Sequence, residues 1–354
     1  MRLSRCSLPL SLRSSQASFI AVLAVVASAC GIDAPVSPNS VSAHADTLAS
    51  KKPTAPAPPI SSANVLAGST FYVDPYSNAK KTADSWRLTR PADATQMDKI
   101  ATQSQAKWFG NWNTDIYSAV STAVTAMTSV GALPILVAYN VPQRDCGGLS
   151  GGNSIAADQY RTWVSEFARG IGARRAAVVL EPDALAGMDC LSSTDQQLRL
   201  DLLTYAVKAF KALGATFVYL DAGNPRWHSA GTMATRLTQA DVAEAAGFSL
   251  NVSNFFFTAD NTAYGSQISS LVGGKHFIID TGRNGLGPTA DYQWCNPDGR
   301  ALGARPTTQT GNTLVDAFLW IKAPGESDGA CNGAPSAGTW MPDYALGLAQ
   351  RAAY

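Results

Sequence analysis

Short β-rich apolar runs alternate along this chain with longer stretches in which apolar residues recur every three or four positions. The runs at 70–73, 134–139, 176–181, 216–221, 248–252, 276–280 and 317–322 predict strands. Helical periodicity is clearest at 114–129, 156–169, 194–213 and 261–272. Strands 25 to 45 residues apart with helices between them describe βαβ units and a parallel sheet. The pattern leaves a closed barrel and an open sheet equally possible. It does give the polar residues an address, because Tyr139, Asp183, Asp221, Asp280 and the loop after Lys322 all fall at carboxyl ends of expected strands. In barrel enzymes the chemistry sits at that end. No repeat of 20 to 50 residues is present, which removes solenoids and propellers.

The first 62 residues break this pattern. Arg2, Arg5 and Arg13 precede an apolar stretch at 19–27 that is short for a bilayer span, the arrangement of an export signal. We expect a signal peptide over residues 1–30, with cleavage as late as 45. Ala27-Ser28-Ala29 and Ala43-His44-Ala45 both offer small-residue cleavage sites, and Cys30 allows a lipid anchor as the alternative to free secretion. Residues 31–63, rich in Pro, Ser and Ala, read as a linker, because such a segment buries too little to offset its ordering entropy. A single catalytic domain is expected over 64–354.

Composition narrows the function classes. Apolar residues make up 46% of the chain, enough for a large core, while charged residues make up only 15%. The 27 basic and 26 acidic residues nearly cancel, and loss of Arg2, Arg5, Arg13 and Asp33 with the first 45 residues leaves 24 against 25. No basic block could track a phosphate backbone, so no nucleic-acid partner is expected. Nor is a stable protein partner, and the chain reads as a monomer. Beyond Cys6 and Cys30 there remain Cys146, Cys190, Cys295 and Cys331, an even number that predicts two disulfides with three possible pairings in an exported protein.

Four segments carry the chemistry. VAYNVPQRDCGGLSGG (137–152) runs from a strand into a glycine-rich loop bearing Asp145. AVVLEPDAL (177–185) is an apolar strand stopped by Pro182, which restricts Glu181 and delivers Asp183 just beyond the sheet, as a reactive group or as a helix cap. YLDAG (219–223) ends likewise on Asp221, and WIKAPGESDG (320–329) brings Lys322, Glu326 and Asp328 on a turn. Three consecutive βα units ending on carboxylates favour a cluster over three unrelated caps. Like charges held close keep one acid protonated near neutrality, so that it can donate to a poor leaving group. Glycoside cleavage needs that donor, with a carboxylate or organised water opposite. Trp108, Trp227 and Trp294 lie beside polar residues and suit the flat faces of sugar rings. There is no GxSxG elbow, the histidines (His44, His228, His276) are too scattered for a metal site, and the glycine-rich loop lacks a P-loop lysine. No cofactor or metal is expected.

With WCNPDGR (294–300), these segments resemble glycoside hydrolase family 6, the endoglucanase and cellobiohydrolase family, from about Phe71 to the C-terminus. The resemblance implies a distorted, partly open parallel (β/α) barrel of about seven strands, and inverting hydrolysis of β-1,4-glucan chains and cello-oligosaccharides. It implies Asp183 as general acid, Asp145 as the neighbour that raises its pKa and organises water, and Asp221 as its support. Tyr139 would crowd the sugar at subsite −1. The base would be Asp328, or a water chain towards Asp145. Lys322, Glu326, Asn224 and Asn254 would bind glucosyl hydroxyls and Trp108, Trp227 and Trp294 would stack. Disulfides would join Cys146 to Cys190 and Cys295 to Cys331. Asn224 departs from the histidine usual after Asp-Ala-Gly. Processive members roof the site with long loops, but only eight residues, 332–339, separate Cys331 from Trp340 here. An open-cleft endoglucanase is therefore expected, with a cellobiohydrolase or a noncatalytic glucan-binding protein as the alternatives.

Overall fold

The computed structural model describes residues 63–149 and 155–354. The expected export signal, most of the expected linker and Cys30 lie outside the described residues. Seven strands form one all-parallel sheet in chain order: β1 (Lys107–Gly110), β2 (Ile135–Tyr139), β3 (Ala176–Leu180), β4 (Thr216–Asp221), β5 (Gly247–Leu250), β6 (His276–Asp280) and β7 (Val315–Leu319). Helices α1 (Asn78–Trp86) and α2 (Pro91–Ala101) precede the sheet. Between strands run α3 (Ile116–Thr128), α4 (Ala157–Ile171), α5 (Ser193–Lys211), α6 (Ala230–Gln239) and α7 (Thr258–Leu271), and α8 (Pro342–Gln350) closes the chain. The sheet curls into a half-barrel whose edges, β1 and β7, do not pair as strands. Two bonds span the seam: Ala106 N donates to Trp320 O at 2.9 Å and Trp108 Nε1 to Ile321 O at 2.8 Å.

Strand alternation sorts the core into two faces. Leu136, Ala138, Val178, Leu180, Val218, Leu220, Phe248 and Phe277 point outward and pack under α3 to α7. Ile135, Val137, Tyr139, Ala177, Val179, Tyr219, Ile278 and Leu319 fill the concave face. Burial on both faces explains why these strands read as continuous apolar runs. A third cluster joins α1, α2 and α8 to Trp320 and Leu302 beside the seam. The helices begin where the sequence supplies caps: the side chains of Asp115, Ser192 and Ser229 accept from backbone N–H groups of the first turn, and Pro91 and Pro342 open α2 and α8.

The count of seven strands agrees with expectation, but one member differs. Residues 70–73 form no strand, since only Phe71 bridges to Leu133, and β1 lies instead at Lys107–Gly110. A four-residue run that starts on an exposed lysine and ends on glycine carries little pattern of its own. Strand ends also shift. β7 stops at Leu319 rather than at 322, because the backbone N–H groups of Ile321 and Lys322 turn to the carboxylate of Asp280, at 3.2 and 2.9 Å. Left-handed backbone at Asn251 (φ 66°) ends β5 before 252.

Candidate active site

The carboxyl ends of the strands open into one cleft, and Asp183 reaches it through an unusual turn. Glu181 and Asp183 both adopt left-handed backbone, φ 51° and 68°, around Pro182. Non-glycine residues hold that conformation at a cost of about 1 to 3 kcal/mol each, so the surrounding contacts must fix it. The carboxylate of Asp221, at the end of β4, does part of this: its Oδ2 accepts from Asp183 N at 2.9 Å and Gly223 N at 3.1 Å, and its Oδ1 accepts from Ser249 Oγ at 3.1 Å. Asp183 begins no helix; turns follow it as far as Met188, so the capping alternative falls away. Its side chain lines the cleft while Asp221 lies buried beneath. Burial first, then the charges of Asp221, Asp145 and Asp328, push the Asp183 carboxyl well above the ordinary carboxylate range. Burial raises Asp221 to about 6 despite its three donors. Asp183 therefore suits proton donation at neutral pH.

Asp145 lines the same cleft from the loop after β2, where Gln143, Asp145 and Cys146 are all left-handed. Arg144 turns inward, donates to Tyr139 O at 2.6 Å and lies 4.2 Å from the centre of the Tyr139 ring. Tyr139 meets Trp108 edge to face at 5.2 Å.

The facing wall is built differently. Asp328 Oδ2 accepts from Arg283 Nη1 at 2.8 Å and Asn296 N at 3.0 Å, and Asp328 N donates to Asn296 Oδ1 at 2.7 Å. Lys322, buried beside it, donates to Ser327 O at 2.9 Å, and burial lowers its pKa. Glu326 is raised by burial, with Lys322 opposing. Asp280 does not face the cleft; its carboxylate gathers backbone N–H groups of Ser253, Gly282, Ile321 and Lys322, fixing the ends of β5, β6 and β7 to one another.

Asn224 and Asn254 line the cleft between these walls, and Trp227 and Trp294 are 42% and 51% exposed there, so neither is core packing. Disulfides join Cys146 to Cys190 and Cys295 to Cys331, each beside a carboxylate loop. The segment after Asp328 folds back on itself: Ser327 N bonds Thr339 O and Gly338 N bonds Ser327 O, both at 2.9 Å, and Met341 N bonds Gly325 O at 2.8 Å. Gly329 admits Leu149 so closely that a Cβ there would lie 2.8 Å from the Leu149 Cβ.

The family model for glycosyl hydrolases family 6 matches residues 66–352. The chain belongs to that family. It is 44% identical over 287 residues to endoglucanase A of Cellulomonas fimi, covering 80% of this chain and 62% of that protein. It is 42% identical over 287 residues to endoglucanase 1 of Streptomyces halstedii, covering 78% and 87%. The chain thus spans under two thirds of the Cellulomonas protein. Among solved structures, the endoglucanase Cel6 of Mycobacterium tuberculosis, in complex with a thio-linked methyl cellobiosyl-cellobioside, superposes with a TM-score of 0.78 at 44% identity, covering 81% of this chain and 99% of that one.

Within this family-6 chain the cleft and the wall behind it include residues that the sequence patterns passed over. Trp112 is 53% exposed on the cleft wall, its ring laid against Gly110, where any Cβ would fall 2.4 Å from it. It follows β1, the strand missing from the periodicity, so its address was missing too. Arg283 lies in the loop after β6, and the only signal for it was a basic residue just past a strand end. Among the described residues, no group of His, Cys, Asp or Glu is arranged to hold a metal ion.

Proposed function

We propose that the domain over residues 64–354 is an endo-β-1,4-glucanase that cleaves internal bonds of glucan chains and cello-oligosaccharides with inversion. The observation that carries this is Asp183, a carboxyl raised by burial and by neighbouring carboxylates, in a cleft flanked by exposed tryptophans. A glucan would lie along the cleft with Trp108, Trp227 and Trp294 beneath its sugar faces and Tyr139 against the ring being cleaved. Lys322, Glu326, Asn224 and Asn254 would hold its hydroxyls. Asp183 protonates the departing oxygen, and water attacks the anomeric carbon from the other side, so the product is the α-anomer. Because Asp328 Oδ2 is already engaged by Arg283 and Asn296, a water chain towards Asp145 is the favoured route for the released proton.

Internal attack is supported by the back-folded 326–341 segment and by relatives named endoglucanases at 42% and 44% identity, against 28% to 32% for relatives named exoglucanases or cellobiohydrolases, three of them as probable. Proton NMR during early hydrolysis of cellopentaose should show α-anomer first, and carboxymethylcellulose should lose viscosity before many reducing ends appear. Initial β-anomer would refute inversion, and cellobiose release without viscosity loss would refute internal attack. We further propose secretion of a monomer after removal of residues up to 30 or 45, with 31–63 as linker and lipidation at Cys30 as the alternative. Mass spectrometry of the mature N-terminus separates these.

A further inference from the structure

Glu181 is the one carboxylate of the Glu-Pro-Asp turn that points away from the cleft. It is fully buried, and its left-handed backbone aims the side chain back at β2. There it accepts from Asn140 N at 3.0 and 2.9 Å, from Val141 N at 3.0 Å and from Tyr160 Oη of α4 at 2.9 Å. Beyond Tyr139 the strand has ended, so these two backbone donors have left the ladder, and a buried donor without a partner costs about 1 to 3 kcal/mol. The carboxylate takes the place of a strand. In the other direction Glu181 N donates to Ala138 O at 2.8 Å, so one residue ties the start of the Asp145 loop to the start of the Asp183 loop.

Arg199 of α5 makes the second tie. Buried to 4% exposure, it donates to Ala184 O at 2.9 Å, just past Asp183, and to Pro142 O and Gln143 O at 2.7 and 3.1 Å, just before Asp145. Each catalytic carboxylate thus sits on a loop gripped by both Glu181 and Arg199. Neither residue touches the cleft.

We propose that Glu181, Tyr160 and Arg199 form a positioning clamp that holds the Asp145 and Asp183 loops in one fixed register, so that acid and organised water act on the same bond. The clamp rests on the glucanase reading above. A misplacement of about 1 Å in a reacting group can lower turnover 10²-fold while leaving binding surfaces intact. Glu181→Gln keeps the shape but replaces one accepting oxygen with an NH₂ group; the Tyr160 hydroxyl can turn to accept from it, so the misfit falls on the Asn140 N–H, which loses one acceptor and is displaced. Because that displacement reaches the Asp145 loop as well as Asp183, a good leaving group should not restore the rate, in contrast to loss of Asp183 alone.

The test uses the whole secreted chain. Wild-type kcat on cellopentaose is measured first; no hydrolysis there overturns the glucanase reading itself. If wild type is active, Glu181→Gln should lower kcat about 10²-fold on both cellopentaose and an aryl cellobioside with a good leaving group. Its Kd for a thio-linked, unhydrolysed cello-oligosaccharide should stay within threefold. Tyr160→Phe, which keeps volume and removes one donor, should lower kcat about 3- to 10-fold with the same unchanged Kd, and keeps the test open if Glu181→Gln does not fold. A folded variant with unchanged kcat and only a lower melting temperature overturns the clamp. So does an equal loss of turnover and affinity, which would mean collapse of the cleft.

Discussion

The two walls of the cleft use the same residue type in opposite surroundings. On one, Asp183 faces Asp221 and Asp145, and burial, reinforced by these like charges, keeps its proton on. On the other, Asp328 is paired with Arg283 and stands beside Lys322. Both aspartates are removed from bulk water, and they differ in whether a cation is there to pair with them. The asymmetry also reaches the scaffold: Asp221 restrains the backbone of Asp183 from below, while Asp328 exchanges bonds with Asn296 on a disulfide-linked loop.

The comparison breaks most visibly at the acid. Asp183→Ala should lower hydrolysis of cello-oligosaccharides by about 10²- to 10⁴-fold, while a substrate with a good leaving group suffers much less. Equal losses on the two substrates, in a folded variant, would remove Asp183 from the donor role. On the opposite wall the largest effect should be on stability. Arg283→Met leaves Asp328 buried without its partner and should cost about 3 to 5 kcal/mol, read from denaturant unfolding. A cost below about 1 kcal/mol would mean that the ion pair does not hold that wall.

The asymmetry should also appear as a dependence of stability on pH. Glu181 is pushed up to about 7 and Asp221 to about 6, and Asp183 and Asp280 are raised as well, all primarily by burial. An acid whose folded pKa exceeds its unfolded value stabilises the fold while protonated. That stabilisation is complete below about pH 4 and fades as pH rises through the folded values. The melting temperature should therefore fall by a few degrees, about 3 to 6 °C, between pH 5 and pH 8. A flat or rising curve over that range would contradict the raised pKa values of these buried acids.

The smallest expected effect is at Trp112. Removing a stacking surface of about 1 kcal/mol by Trp112→Ala should raise KM for long cello-oligosaccharides about 3- to 10-fold and leave kcat nearly unchanged. An unchanged KM on every chain length would make Trp112 a cover for Gly110 and nothing more.

The acid wall is legible in the sequence because it is local. Asp183 and Asp221 each lie within three residues of a strongly apolar strand, and Pro182 marks the turn. Asp145 follows β2 by six residues but is flanked by a cysteine and glycines that announce a loop. The facing wall is assembled from the loop between β6 and β7 and the loop after β7, so its key pairing, Arg283 with Asp328 across 45 positions, leaves no trace in any single window. β1 and Trp112 escaped for a simpler reason: four residues with one exposed end satisfy neither a twofold nor a 3.6-residue period. Glu181 announced a constrained turn, yet which way its side chain points follows from a left-handed φ that sequence pattern does not encode.

Because the seven strands lie in the sheet in the order of the chain, each newly synthesised strand can add to the edge left by the one before it. A growing polypeptide could build this sheet progressively, with no early strand waiting for a distant partner. Asp145, Asp183 and Asp221 would then be laid down by the first four strands, whereas Lys322, Glu326 and Asp328 arrive only after the seventh. The cleft is completed last, so a chain halted midway would carry Asp183 with nothing facing it.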